Sequence, residues 1–145
     1  VSSVFGIISV AGNGTYNATK FAVRGFTEAL RQELELAGAP VSATCVHPGG
    51  IKTNIARAAR HNDSMRELVG DVDPEASRAE FEKLFITEAS TAARTILDAV
   101  RKNRRRVLVG PDARVIDVMQ RLLPSAYQKL TIAVTKRRTS RGKRF

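Results

Sequence analysis

The spacing of apolar and polar residues predicts an alternation of helices and short buried strands. From about Tyr16 the apolar positions recur every three or four residues, which is typical of an amphipathic helix, and Gly38 and Pro40 predict its end. The predicted apolar face of this helix consists of Ala22, Phe26, Ala29, Leu30 and Leu34. The uncharged run 41–47 predicts a buried parallel strand, and residues 1–8 are similar to the end of another strand that leads into a loop.

The second half of the chain continues this alternation after a long polar stretch. The stretch that follows Thr53 is polar as far as Pro74, and its length without a clear core pattern is typical of a functional loop or lid. A second helix is predicted behind Thr87 as its N-cap, followed by a strand over 107–109 and a third helix after Pro111. The apolar faces predicted for these two helices consist of Ala89, Ala92, Ala93, Ile96, Leu97 and Val100, and of Val115, Val118, Met119, Leu122 and Leu123.

Strands that alternate with helices predict an α/β fold with a doubly wound parallel sheet. The pattern contains only two complete strands, and two strands cannot bury a parallel sheet on both faces. The chain has 145 residues and opens on Val1, with its methionines at positions 65 and 119. We therefore expect it to be the C-terminal part of a longer α/β domain whose N-terminal part is missing.

The composition of the chain excludes several classes of protein. Hydrophobic residues make up 43% of the chain, and no apolar run approaches the roughly 18 residues of a membrane-spanning helix. Cys45 is the single cysteine and His47 and His61 are the only histidines, so we expect neither an internal disulfide nor a metal site. Because no basic and apolar leader opens the chain, a reducing cytoplasm is the expected location.

The net charge of +10 is unevenly distributed. Residues 1–100 carry 10 Lys/Arg against 12 Asp/Glu, whereas residues 101–145 carry 14 against 2. Six of the last ten residues are basic, which is typical of a disordered terminus. A peripheral contact with an anionic membrane surface or a partner subunit is an alternative. Nucleic acid is not an expected partner, because only Tyr127 and Phe145 could stack on bases there.

Three side chains near the first predicted helix have the chemistry of a proton-transfer site. Tyr16 and Lys20 are four residues apart, so they project from one helix face about 6 Å apart along its axis. At a separation of about 5 Å and an effective dielectric constant of about 20, the ammonium stabilises the phenolate by roughly 3 kcal/mol. Ser3 lies at the end of the preceding strand, where the carboxyl ends of parallel strands border a ligand crevice, and its hydroxyl can donate to a substrate oxygen.

A glycine-containing loop follows the strand that ends near His47. Its backbone amides and one hydroxyl are expected to hold a flat polar ligand, and it consists of Pro48, Gly49, Gly50, Ile51, Lys52 and Thr53. Other interpretations remain open for single residues. A tyrosine such as Tyr16, taken alone, is more often a packed residue than a catalytic one, and Thr53 could cap a helix. Cys45 is expected in the core. His47 could line the crevice or have a structural role.

Together, Ser3, the stretch Tyr16-Asn17-Ala18-Thr19-Lys20 and the stretch Pro48-Gly49-Gly50-Ile51-Lys52-Thr53 resemble the short-chain dehydrogenase/reductase family over roughly residues 1–110. The resemblance implies that Tyr16 is the general acid/base, that Lys20 tunes it and binds the nicotinamide ribose, and that Ser3 orients the substrate carbonyl. It also implies that residues 48–53 position the nicotinamide of NAD or NADP. The backbone of Ile51 and the hydroxyl of Thr53 would then face its carboxamide.

The resemblance further implies the C-terminal part of a Rossmann-type doubly wound sheet over 1–110, with a substrate lid over 54–87 and a C-terminal helix and basic tail over 111–145. The implied activity interconverts a carbonyl and an alcohol on a small molecule, in an enzyme that is a homo-oligomer. The family's glycine-rich phosphate loop, its cofactor-selecting residue and its relay asparagine have no counterpart in this chain. A non-catalytic dinucleotide-binding or protein-binding module, or a protein that contacts membranes through its tail, remains an alternative.

Overall fold

The computed structural model describes residues 1–55, 79 and 82–142. The chain begins with a single 3-10 turn, Val4–Gly6. The helices are α1 (Gly14–Leu36), α2 (Ala89–Arg101), α3 (Pro111–Leu122) and α4 (Tyr127–Gly142). The strands are β1 (Cys45–Pro48), β2 (Ile51–Lys52), β3 (Thr87–Glu88) and β4 (Arg106–Val109).

The strands form two parallel pairs. β1 pairs with β4 in a register that aligns Cys45 with Arg106 and Pro48 with Val109. β2 pairs with β3, with Ile51 opposite Thr87. The chain between the parallel partners β1 and β4 contains helix α2, as the crossover between two parallel strands requires. The prediction of an α/β class with parallel strands is therefore confirmed, and the arrangement is part of a Rossmann-type fold.

Alternate residues of β4 point to opposite faces of the β1–β4 pair. Val107 and Val109 are buried against α2, together with Val46 of β1 and the small residues Ala92 and Ala99 of α2. Leu108 points to the opposite face, where it packs in a second cluster with residues that precede α1 and belong to α3 and α4: Phe5, Ile7, Ile8, Ile116, Met119 and Tyr127. Residues of α2 therefore pack on one face of the pair and residues of α3 and α4 on the other, as expected for a parallel sheet.

The apolar face predicted for α1 is wrong, because the helix packs through its polar side. Phe26 is 71% exposed, whereas Asn17 and Arg31 are buried. The amide of Asn17 donates to the Val10 carbonyl, so hydrogen bonds rather than apolar contacts hold this side. Of the predicted face only Leu30 and Leu34 are half-buried, and Phe26, Ala22 and Ala29 are exposed.

Arg31 joins α1 to two distant parts of the chain. It is 6% exposed, and its guanidinium donates to the carbonyls of Ala43 (2.9 Å) and Asn103 (3.2 Å) and to the carboxylate of Glu35 (3.0 Å). The planar fork of arginine suits several acceptors at once. One buried side chain therefore connects the segments that lead into β1 and β4.

The end of α1 agrees with the sequence. Gly38 has a positive φ of 61°, and the amide of Ala39 bonds to the carbonyl of Leu34 at 3.0 Å. This is the Schellman arrangement, in which a residue in the left-handed region ends the helix and satisfies its last carbonyls. Glycine takes this conformation without steric cost, so Gly38 both predicts and causes the end of α1.

Helix α3 also packs through a face other than the predicted one. Val115, Val118 and Leu122 are exposed, whereas Ala113 and Asp117 are buried. The Asp117 carboxylate accepts hydrogen bonds from Arg106 (2.6 Å) and Arg121 (2.9 Å). Burial alone would raise the pKa of Asp117, but these two hydrogen bonds outweigh it and lower the pKa. The charged partners explain why an acid occupies the buried side.

Four other boundaries differ from the prediction. Residues 4–6 form a 3-10 turn rather than a strand end, and the strand expected over 41–47 begins only at Cys45. Thr87 belongs to β3, and Glu88 is the N-cap position of α2. The terminus expected to be disordered is helical as far as Gly142. Most of the lid expected over 54–87 lies outside the described residues.

The hydrogen bonds of Arg31 predict a large loss of stability on its removal. In the protein expressed from the complete reading frame, Arg31→Leu should lower the free energy of unfolding by about 2–4 kcal/mol, because two carbonyls lose their partner. Urea unfolding measures this loss. Arg94→Leu is the matched control, since exposed Arg94 bonds to Thr91 of its own helix and to no other residue in the described part of the chain, and it should cost less than about 1 kcal/mol. Equal losses in the two variants would contradict this role of Arg31.

Candidate active site at the carboxyl edge of the strand pair

The register of β1 and β4 brings the loops that follow them to the same edge. The amide of Gly49 donates to the Val109 carbonyl at 2.9 Å, and the amide of Gly50 donates to the Asp112 carboxylate at 2.6 Å. The expectation that loop 48–53 offers free amides is therefore wrong for both glycines. Their amides are used to hold the loop against the start of α3.

The rest of loop 48–53 is held by β3. The carbonyl of Gly50 accepts from the amides of Ile86 and Thr87, both at 3.1 Å, and Ile51 then enters the pairing with β3. Thr53 is exposed, and its hydroxyl oxygen accepts a long hydrogen bond of 3.5 Å from the Ile55 amide. This contact is of the helix-capping kind and leaves the hydroxyl at the surface.

Ser3 lies immediately before the 3-10 turn and caps it. Its hydroxyl oxygen accepts from the amide of Phe5 at 3.2 Å, and the side chain is nearly buried. A hydroxyl that accepts one bond keeps its own proton for donation. The backbone of the neighbouring Ser2 is anchored to β1, because its amide donates to the Val46 carbonyl at 2.8 Å.

His47 is a buried structural residue rather than a crevice residue. Its side chain is fully buried, with Nδ1 2.9 Å from the Ser3 carbonyl and Nε2 3.3 Å from Sγ of Cys45. Only a protonated Nδ1 can donate to a carbonyl, so these contacts assign the neutral tautomer with the thiol donating to Nε2. Burial lowers the pKa of His47 and raises that of Cys45. His47 thereby fixes the backbone of Ser3.

Tyr16 and Lys20 lie side by side on the first turns of α1. The Lys20 ammonium is 5.3 Å from the centre of the Tyr16 ring, which is a cation–π distance. The ring of Phe5 meets the Tyr16 ring edge-on, with 5.9 Å between the two centres. Tyr16 is 41% exposed. A phenol accessible to solvent beside a cation is an arrangement that can exchange protons with a ligand.

The 3-10 turn connects Ser3 with the Tyr16–Lys20 pair. Ser3 caps this turn, Phe5 within it touches Tyr16, and the Ser2 hydroxyl donates to the Lys20 carbonyl at 2.8 Å. Gly6 allows the close approach, because a Cβ there would collide with the Ser2 hydroxyl and the Lys20 backbone. The structure thus places the three predicted catalytic side chains on one packed unit, and loop 48–53 follows the strand to which that unit is anchored.

Two residues that support the candidate site were not predicted from the sequence, namely Asp112 and Ser2. Asp112 follows Gly110 and Pro111 at the start of α3, so its pattern is that of an ordinary acid in the first turn of a helix. Its position after a strand that shares an edge with loop 48–53 was the available signal. Ser2 carried no signal of its own, since its role depends on how α1 approaches the 3-10 turn.

The described part of the chain limits what this site can bind. Over these residues there is no group of three or more His, Cys, Asp or Glu side chains that could hold a metal ion. None of the helices described is both long and apolar enough to cross a membrane. The chain contains no glycine-rich turn that could hold a diphosphate.

The known proteins that are similar to this chain are described as dehydrogenases or oxidoreductases. The family model described as short chain dehydrogenase matches residues 1–64. SadH of Mycobacterium tuberculosis, named as an oxidoreductase, is 48% identical over 135 residues, which cover 92% of this chain and 46% of that protein. YxnA of Bacillus subtilis, also named as an oxidoreductase, is 32% identical over 130 residues, which cover 90% of this chain and 33% of that protein.

A solved short-chain dehydrogenase from Streptomyces avermitilis is 27% identical, with a TM-score of 0.49 and coverage of 99% of this chain and 50% of that one. The chain therefore spans about half the length, or less, of these relatives. The matches of the family model and of SadH establish the class of protein. The chain belongs to the short-chain dehydrogenase/reductase family.

Burial of neutral His47 predicts a pH-dependent stability. The unfolded histidine gains a proton near pH 6.5, whereas burial lowers the pKa of the folded one. The unfolded state therefore binds more protons as the pH falls below about 6.5, and the free energy of unfolding decreases there by up to about 1.4 kcal/mol per pH unit. Urea unfolding between pH 7.5 and 5 measures this slope. His47→Gln should reduce it, and an unchanged slope would contradict the buried neutral histidine.

Proposed function

We propose that the complete protein is an NAD(P)-dependent oxidoreductase that interconverts a carbonyl and an alcohol on a small molecule. Membership of the family and relatives named as oxidoreductases support an oxidoreductase. The position of the Lys20 ammonium beside the exposed Tyr16 ring is the observation that carries the proposal. A non-catalytic module would not need an exposed tyrosine beside a cation.

In the proposed mechanism the three side chains divide the work on one oxygen atom. Tyr16 gives its hydroxyl proton to the substrate oxygen during reduction, and its phenolate takes that proton back during oxidation. Lys20 stabilises the phenolate, since the charges attract over a short distance. Ser3 donates its free proton to the same oxygen and so holds the carbonyl for attack.

The nicotinamide cofactor supplies or accepts the hydride. Residues 48–53 of this chain would hold its nicotinamide end, with the Ile51 backbone and the Thr53 hydroxyl toward the carboxamide, and Lys20 would bind the adjoining ribose. The exposed hydroxyl of Thr53 supports this role. The diphosphate is assigned to a part of the protein outside this chain, because no glycine-rich phosphate loop is present here.

The proposal extends to location and assembly. A free, buried Cys45 suits a reducing compartment, so we propose a cytoplasmic enzyme. We also propose a homo-oligomer, which membership of the family supports. Contact of the basic tail with an anionic membrane stays an alternative partner interaction.

Substitution of Tyr16 tests the proposed reaction. In the protein from the complete reading frame, Tyr16→Phe keeps the ring contact with Phe5 but removes the proton, so kcat should fall by about 10²–10⁴-fold while dinucleotide affinity stays nearly unchanged. A hydride-transfer assay over a panel of ketones and alcohols measures this. Tyr127→Phe is the matched control, because the Tyr127 hydroxyl accepts from the Ser9 amide and, among the residues described, has no contact with the candidate site. Full activity of Tyr16→Phe would exclude it as the proton donor.

Substitution of Lys20 tests its two proposed roles. Lys20→Ala should lower kcat by about 10²-fold, because the phenolate loses its neighbouring cation, and should weaken dinucleotide binding, because the ribose loses a hydrogen-bond donor. Steady-state kinetics and dinucleotide titrations measure the two effects. Lys102→Ala removes an exposed lysine that pairs with Asp98 on α2 and should leave both quantities unchanged. An unchanged kcat in Lys20→Ala would refute the electrostatic role.

A further inference from the structure

Asp112 is the first acid of α3, and it lies against glycines of both loops at the carboxyl edge. Its carboxylate accepts from the Gly50 amide at 2.6 Å, a short distance of the kind found for charge-assisted hydrogen bonds. A Cβ at Gly49 or at Gly110 would collide with this carboxylate. The glycines therefore make room for an acid that binds the backbone of loop 48–53.

Asp112 lies in the first turn of α3. It is the second residue of the helix, where the free amides of the N-terminus attract a carboxylate. Its Oδ1 atom is buried and has no hydrogen-bond partner among the described residues, and neither has the buried Thr87 hydroxyl oxygen. The two atoms lie 2.4 and 2.8 Å from the point that a Cβ on Gly110 would occupy. An acceptor and a donor thus face the same small space between loop 48–53, β3 and α3.

The hydrogen bond between the Gly50 amide and the Asp112 carboxylate fixes the part of loop 48–53 that precedes the proposed nicotinamide contacts. Gly50 is directly followed by Ile51 and lies three residues before Thr53. The Gly50 carbonyl is already fixed by the amides of Ile86 and Thr87, so the Asp112 carboxylate fixes the remaining polar group of this residue. The orientation of the peptide between Gly49 and Gly50, and hence the start of the contact segment, depends on that bond.

We propose that Asp112 is a positioning residue that holds loop 48–53 in the conformation needed by the nicotinamide end of the cofactor. This inference rests on the proposed function, because it assigns the nicotinamide to that loop. Asp112 acts through the Gly50 amide and touches no reacting atom. Its loss should therefore weaken the nicotinamide half of the cofactor selectively, while the adenosine half, which this loop does not contact, is bound as before.

Binding measurements with a matched pair of ligands test this inference. In the protein from the complete reading frame, the dissociation constants of NADH and NADPH are compared with those of ADP-ribose and its 2′-phosphate, which lack the nicotinamide. Asp112→Ala should weaken dinucleotide binding about tenfold and leave the ADP-ribose ligands within about twofold. Asp112→Asn keeps an oxygen that accepts from the Gly50 amide and should recover most of the affinity.

Two controls separate positioning from a general loss of stability. Asp117→Ala removes the other acid of α3, whose partners are Arg106 and Arg121, and should lower the melting temperature without changing the ratio of the two affinities. Hydrogen exchange of the peptide that contains Gly50, measured without ligand, should become faster in Asp112→Ala only. Equal weakening of both ligand types, or unchanged exchange at Gly50, would overturn the inference.

Failure of the inference and failure of the proposed function give different results. If the unsubstituted protein binds neither dinucleotides nor ADP-ribose ligands, the proposed function is wrong and the nicotinamide assignment falls with it. If the unsubstituted protein binds both and Asp112→Ala behaves like it, only the positioning role is wrong. Selective loss of nicotinamide affinity in Asp112→Ala, with recovery in Asp112→Asn, supports both.

Discussion

The parallel pairing of β1 with β4 determines where every candidate group of this chain can lie. Because Pro48 is opposite Val109, the loops that follow the two strands begin at the same edge. The Val109 carbonyl and the Asp112 carboxylate can then reach the amides of Gly49 and Gly50. A shift of the register by one residue would move these groups by more than 3 Å, which exceeds the tolerance of a hydrogen bond.

The second half of the site depends on β1 through buried polar contacts. His47 binds the Ser3 carbonyl from inside the strand, and the Ser2 amide binds the strand at Val46. The 3-10 turn that follows carries Phe5 to the Tyr16 ring, and the Ser2 hydroxyl holds the backbone of α1 at Lys20. The proposed proton-transfer groups are therefore positioned by a series of contacts that begins in the core, and such support can maintain precise geometry at a partly exposed site.

The sequence predicted the order of α1, β1, α2, β4 and α3 and the end of α1 better than it predicted which faces of the helices pack. Gly38 ends α1 because its positive φ favours glycine, and the apolar run of β4 is buried on both sides of a strand. Periodicity cannot tell which side of a helix will find partners. In α1 the guanidinium of Arg31 reaches distant carbonyls, and in α3 the carboxylate of Asp117 lies between two arginines, so polar sides were buried.

Part of the candidate site could likewise be predicted from the sequence, and part could not. The pairing of Tyr16 with Lys20 follows from helix geometry, since residues four apart are neighbours, and could be predicted from their spacing. The roles of Ser2, His47 and Asp112 could not, because each depends on a contact between segments that are 18 to 62 residues apart. Such contacts exist only once the register of the strands is known.

Tyr16 and Ser3 are proposed to act together on one substrate oxygen. A crystal structure of the complete protein with bound dinucleotide and an unreactive carbonyl analogue can show whether they do. We expect the analogue's oxygen to lie within about 3 Å of both the Tyr16 and the Ser3 hydroxyl oxygens. An analogue bound in the cofactor crevice with its oxygen hydrogen-bonded to neither hydroxyl would exclude the proposed roles of both residues.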